Sequence, residues 1–110
     1  MNISNNLKRA GVVNFLLRVG VSHVNAISVA HVTTNLENAI IYHILRQKHF
    51  SHRNSIIFIN TMTARQMSEF KSIILKEPNS GVRNAYFNAR KNGKTHNKAM
   101  NAAMIKKLGM

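Results

Sequence analysis

Apolar residues recur at three- and four-residue steps over most of this chain, and its single proline, Pro78, is the clearest interruption. Such spacing places side chains on one face of an α-helix and makes no consistent face on a strand, so an all-α fold is expected. Leu7, Ala10, Val13, Leu16 and Leu17 mark a first helix, with Ser4 as its expected N-cap and Gly20 as its stop. Ser22 is placed to cap a short segment through Val32, whose Val and Ile content leaves a strand open as an alternative. Thr34-Asn35-Leu36-Glu37 has the capping-box pattern, with Thr34 accepting from the backbone near Glu37 and Glu37 reaching back. Leu36, Ile40, Ile41, Ile44 and Leu45 then carry a helix to about Lys48, where Arg46 and Lys48 suit its negative end.

Ser51 or His52 opens a longer stretch, with an apolar face of Ile56, Ile59, Met62, Met67, Phe70, Ile73 and Ile74 and an expected bend near Thr61 to Thr63. Pro78-Asn79-Ser80-Gly81 reads as a turn, because Pro78 has no amide proton to donate and biases Glu77 away from helical geometry. Beyond it Val82, Ala85, Tyr86 and Ala89 repeat at helical steps, and Asn92-Gly93 is the stop. A last helix is expected from about Thr95, packing through Ala99, Ala102, Ala103, Ile105 and Leu108. These signals give one domain over residues 1–110, of about five or six short helices, the last two forming a helix-turn-helix-like pair. Residues 1–50 are less sharply marked than 51–110, and no internal repeat stands out.

Sixteen Lys and Arg face three acidic residues, a formal charge of +13. A chain so charged repels itself unless a polyanion offsets the field, and nucleic acid is the commonest candidate. A spanning helix is not expected, since no run of about 18 apolar residues occurs and Gly11 to Val21 carries Arg18. Lys8 and Arg9 before Val12 to Leu17 superficially resemble a signal peptide, but no clear cleavage site follows and Cys is absent, so cytoplasm is the expectation. The acids are Glu37, Glu69 and Glu77, with no Asp. Two-metal phosphoryl transfer needs several converging carboxylates, a cluster this composition cannot supply.

From Arg83 onward stand seven cations without an intervening acid: Arg83, Arg90, Lys91, Lys94, Lys98, Lys106 and Lys107. On a helix Lys94, Lys98 and, after two turns, Lys106 lie close to one face and Ala99, Ala102 and Ala103 near the opposite one, so one face would pack and the other meet phosphate. An ordinary solvated basic face is the competing reading. Thr95 adds a helix N-terminus whose amides suit a phosphate oxygen. Tyr86 and Phe87 would stack on bases or, as helical aromatics more commonly do, fill a core. His43, His49 and His52 do not make a zinc site, lacking Cys and any His-Glu-x-x-His spacing. His96 reads either as an exposed residue or as a phosphate ligand at lower pH. Ser51, Ser55 and Ser80 are explained by capping and turns, and none is singled out as a nucleophile. Neither a cofactor nor a metal is expected.

Tyr86, Gly93-Lys94, Lys98-Ala99, Ala102 and Lys106-Lys107-Leu108 form a pattern over Pro78 to Leu108 that resembles the C-terminal, serine-bearing domain of the bridge-RNA-guided insertion-sequence transposases with a DEDD-type nuclease domain. Phe50-Ser51-His52-Arg53-Asn54 is similar to that family's Ser-Lys-Arg-Gly-Asn segment, and Gly20-Val21-Ser22 with Ala26 to its Gly-x-Gly motif. The family's nucleophilic Ser belongs to a Ser-Gly pair between those two segments. No such pair occurs there, and Ser80-Gly81 lies on the other side. The nuclease carboxylates are missing as well. The resemblance therefore implies a nucleic-acid-binding fragment of a transposase, with 51–110 as the transposase-like region and no strand exchange by this chain alone. Its implied partners are DNA, a guide RNA, and a second copy or a full-length transposase. A structural RNA-binding protein of ribosomal type is the alternative, and a membrane-active basic protein ranks last.

Overall fold

The computed structural model describes residues 3–109, which are all-α, with no strand among them. Seven α-helices follow one another: α1 (Ile3–Arg18), α2 (His23–Val32), α3 (Leu36–Gln47), α4 (His52–Thr61), α5 (Ala64–Glu69), α6 (Ser80–Lys91) and α7 (His96–Lys107). A π-helical turn, Phe70–Ile74, continues α5. The helices group into two compact units, Met1–Thr61 and Met62–Met110, where the periodicity predicted one domain. The division falls at the expected bend, because Thr63 starts a new helix with a reciprocal box: its hydroxyl accepts from the Gln66 amide and the Gln66 side chain accepts from the Thr63 amide, both at 3.1 Å.

Each unit has its own core. In the first, α1 packs on α2 and α3, and α4 on α2 and α3. Val12, Leu16, Val29, Ile41, Tyr42, Leu45 and Phe58 are buried there. The 22–32 segment is a helix, as its Ser22 cap signalled; the hydroxyl accepts from the Asn25 amide at 3.2 Å. In the second unit Phe70, Ile74, Val82, Tyr86, Phe87, Ala99 and Ala103 are buried. Tyr86 and Phe87 are thus core aromatics, ringed by Phe70 and by each other at centroid distances of 5.4–5.9 Å.

Two boundaries and one packing face differ from expectation. α1 already includes Ile3 and Ser4, so Ser4 is not its cap. α3 is capped by Asn35, whose Oδ1 accepts from the Glu37 amide at 2.8 Å, because Thr33 turns the chain by accepting from the Asn35 amide; Thr34 makes no cap. On α7 the packing face is His96, Ala99 and Ala103, while Ile105 and Leu108 are 49% and 73% exposed. Two residues beyond Ala103 turn the helix by about 200°, which carries Ile105 to the outer side.

The two units share a building block that is hidden in the linear sequence. The α3–α4 and α6–α7 hairpins correspond residue by residue at a constant offset of 44, the distance from Tyr42 to Tyr86 and from His52 to His96. Each opens with an Asn cap (Asn35, Asn79) and a helix of 12 residues. Each first helix ends in the same pair of bonds, Phe50 N to Leu45 O and Lys94 N to Ala89 O at 3.0 Å, and His49 N to Arg46 O and Gly93 N to Arg90 O at 3.1 Å. The residue in the left-handed region is His49 in one and Gly93 in the other. Ser51 and Thr95 then cap the second helices. Only Asn, Tyr, Arg and His recur with the same identity, spread too thinly for a repeat to be visible in the letters.

Candidate nucleic-acid interface

The second hairpin carries all of the predicted site. α6 and α7 are joined by four residues, 92–95, and pack against each other, so they run antiparallel and Lys106 and Lys107 return to the start of α6. A buried polar contact fixes this arrangement: the Tyr86 hydroxyl lies 2.9 Å from His96 Nδ1, with the rings edge to face. On the other side of the imidazole, Nε2 is 3.4 Å from Glu69 Oε1, a long contact. A carboxylate can only accept, so the proton sits on Nε2 and Tyr86 donates to Nδ1. His96 is buried at 2% exposure, which corrects both sequence readings of it; it is part of the lock and does not reach a ligand. Burial holds its imidazole below its usual range, opposed by Glu69 and reinforced by Arg90, and burial raises the Tyr86 hydroxyl.

The antiparallel path divides the predicted cations between the two ends of the hairpin, separated along α6 by up to about 18 Å. At the open end Arg83 donates to the Glu77 carbonyl, and Lys107 Nζ is 3.0 Å from Glu77 Oε2. Glu77 is buried, and the Lys107 hydrogen bond, with one from the Asn79 amide, holds its carboxyl below the usual range. Arg83 and Lys107 are therefore committed to an acid that lies upstream of the run and becomes their neighbour only through the fold. Lys106 stays exposed at this end, its stem passing beside Gly81.

At the turn end stand Arg90, Lys91, Lys94, Thr95 and Lys98. Arg90 is half-buried, donating to the Lys94 carbonyl at 3.3 Å and reaching Met62 Sδ at 3.8 Å, so it braces the turn. Lys91, Lys94, Thr95 and Lys98 are exposed. Thr95 Oγ1 accepts from the Lys98 amide at 3.3 Å, which fixes the start of α7 between Lys94 and Lys98. Residues 62–110 hold ten Lys and Arg and two Glu. Glu77 is engaged by Lys107 at the open end and Glu69 faces His96, so both carboxylates of this unit are directed to other groups than Lys94 and Lys98.

No metal cluster forms among the described residues: no three of the His and Glu side chains come together. His52 instead sits between Tyr42 (2.7 Å) and Ser28 (3.2 Å). Ser51 accepts from the Asn54 amide, and Ser55 is buried with its hydroxyl donated to the Ser51 carbonyl at 2.8 Å. Ser80 is the first residue of α6. Of the three serines only Ser51 takes the expected capping role; Ser55 lies within α4 and bonds back to the carbonyl four residues earlier, and Ser80 follows the Asn79 cap. No helix among the described residues is long and apolar enough to cross a membrane. Comparisons with protein families, with curated proteins and with solved structures give no match.

Proposed function

We propose that this chain is a duplex-DNA-binding fragment of transposase type that grips the phosphate backbone with the turn between α6 and α7. The observation that carries this reading is the exposed array of Lys91, Lys94 and Lys98 around a rigid turn, in a unit whose glutamates are turned to Lys107 and His96. A braced turn fixes the backbone from which the lysines reach phosphate, and phosphate contacts give affinity and register without base choice. Lys106 adds a cation at the other end of the hairpin, and Thr95 holds α7 in place between its two lysines. The resemblance of Tyr86, Gly93-Lys94, Lys98-Ala99 and Lys106-Lys107-Leu108 to the guided transposases agrees with DNA as the polyanion, and a guide RNA or a full-length relative is then a natural partner. The fragment lacks the carboxylates and the Ser-Gly nucleophile for strand exchange, so its role is binding.

Affinity for random-sequence duplex DNA, measured against salt concentration, tests the reading. Lys94→Gln with Lys98→Gln lowers the slope of log affinity on log salt by about two units, one for each phosphate no longer neutralised. An unchanged slope in a folded double variant removes the site. Preference for structured RNA over duplex at equal salt favours the ribosomal-type alternative.

A further inference from the structure

The first hairpin reproduces two of the contacts that brace the second turn. Arg46 Nη1 donates to the Phe50 carbonyl at 2.8 Å, as Arg90 does to Lys94. Tyr42 meets His52 Nδ1 at 2.7 Å, as Tyr86 meets His96, and the ring pairs have nearly equal geometry: 5.6 Å and 76° against 5.7 Å and 71°. Around this turn stand Arg46, at the position of Arg90, and Lys48 and Arg53, each one residue from the positions of Lys91 and Lys98, while the buried Phe50 takes the place of Lys94. Arg46 and Arg53 are exposed. The only acid of residues 1–61, Glu37, lies in the first turn of α3, at the opposite end of that helix. The surface next to Arg46 is notched: Asn25, His43, Arg46 and Gln47 help line a groove of about 300 Å³, with amide and imidazole groups that suit the sugar-phosphate backbone.

We infer that the α3–α4 turn is a second phosphate-binding turn on a similarly braced backbone, with Lys48 and Arg53 as its contacts beside the bracing Arg46, so that one chain engages duplex DNA at two separate places. This rests on the reading of the α6–α7 turn as a DNA contact. It adds a site that the cation run after Arg83 does not contain. Position 47 is the one where the turns differ most usefully, Gln47 standing where the second turn has Lys91.

The test uses the full chain and random-sequence duplex DNA, with circular dichroism to verify each variant's fold. Lys48→Gln with Arg53→Gln is expected to lower the salt slope by about two units, and combining it with the Lys94 and Lys98 changes by about four. Gln47→Lys, a change at an exposed position, is expected to raise the slope by about one unit, while Asn60→Lys, at the other end of α4, leaves it unchanged. The gain-of-charge pair keeps the proposal open to failure even if the loss variant does not fold. An unchanged slope for the Lys48 and Arg53 variant, beside a lowered one for Lys94 and Lys98, overturns the second site and leaves the first. An unchanged slope in both pairs overturns both. Equal increases from Gln47→Lys and Asn60→Lys, or reductions seen only with structured RNA, also overturn the second site as a duplex contact.

Discussion

His49 and Gly93 hold the same left-handed backbone, φ 70° and 83°, at the end of the first helix of each hairpin. For a side chain other than glycine that region costs roughly 1–2 kcal/mol, partly offset because glycine loses about 0.5–1 kcal/mol more chain entropy on folding. His49→Gly is therefore expected to stabilise the protein by up to about 1 kcal/mol, and Gly93→Ala to destabilise it by about 1 kcal/mol. A Cβ at Gly93 meets nothing within 4 Å, so the second change reports backbone conformation alone. Urea unfolding of both variants checks the pair, and a loss of stability in His49→Gly would show that the imidazole contributes more than its backbone costs. At this scale the letters were partly readable. Asn92-Gly93 announced its turn because glycine is the usual residue there, whereas Lys48-His49 hid an identical turn behind a residue that seldom takes it. Thr34 misled because the capping pattern admits Asn35 equally well, and only the Thr33 turn decides between them.

In each hairpin a tyrosine hydroxyl bound to a histidine ties the two helices together. Replacing Tyr86 by Phe leaves the buried His96 Nδ1 without a donor, a loss of about 1–3 kcal/mol. Tyr42→Phe is expected to cost less, because His52 is only half-buried and solvent can replace part of the bond. Thermal unfolding of the two variants measures the difference. The same locks set the response to acid. Burial lowers both imidazoles, with Arg46 adding to the effect at His52 and Arg90 at His96. Below about pH 6.5 the unfolded chain binds protons that the folded histidines refuse, so stability falls as pH drops from there and levels off once the folded imidazoles titrate. Glu77 works in the same direction at lower pH: its lowered carboxyl stabilises the fold above the ordinary Glu range and that contribution is lost as pH falls through it. Unfolding midpoints at pH 7.5 and about 5.5 separate the histidine part, and His96→Gln is expected to flatten it. A midpoint that is higher at the lower of those two pH values would contradict the assignment of neutral, buried imidazoles.

The all-α architecture and nearly every helix were legible because the 3.6-residue period is a local property, and the last helix pair followed from Gly93 and the Ala positions. The division into two units, the hairpin repeat and the fate of the cation run were not, since each depends on residues brought together across long stretches of chain. Lys107 meets an acid thirty positions upstream, and Arg83 bends to the same residue. What the composition does fix is the field of the whole chain: +13, of which the observed ion pairs cancel little. Salt acts on such a field in two ways at once. Between about 0.1 M and 1 M sodium chloride the screening length falls from about 10 Å to 3 Å, which relieves repulsion among the exposed cations and is expected to raise the unfolding midpoint of the free protein. Over the same range DNA affinity is expected to fall steeply, because releasing counterions into concentrated salt brings little entropy. The two curves therefore have opposite signs, and both follow from unneutralised positive charge. Measured side by side on the full chain, a free-protein midpoint that drops with salt would show that local attractive contacts outweigh the repulsion among the exposed cations in the stability of the fold.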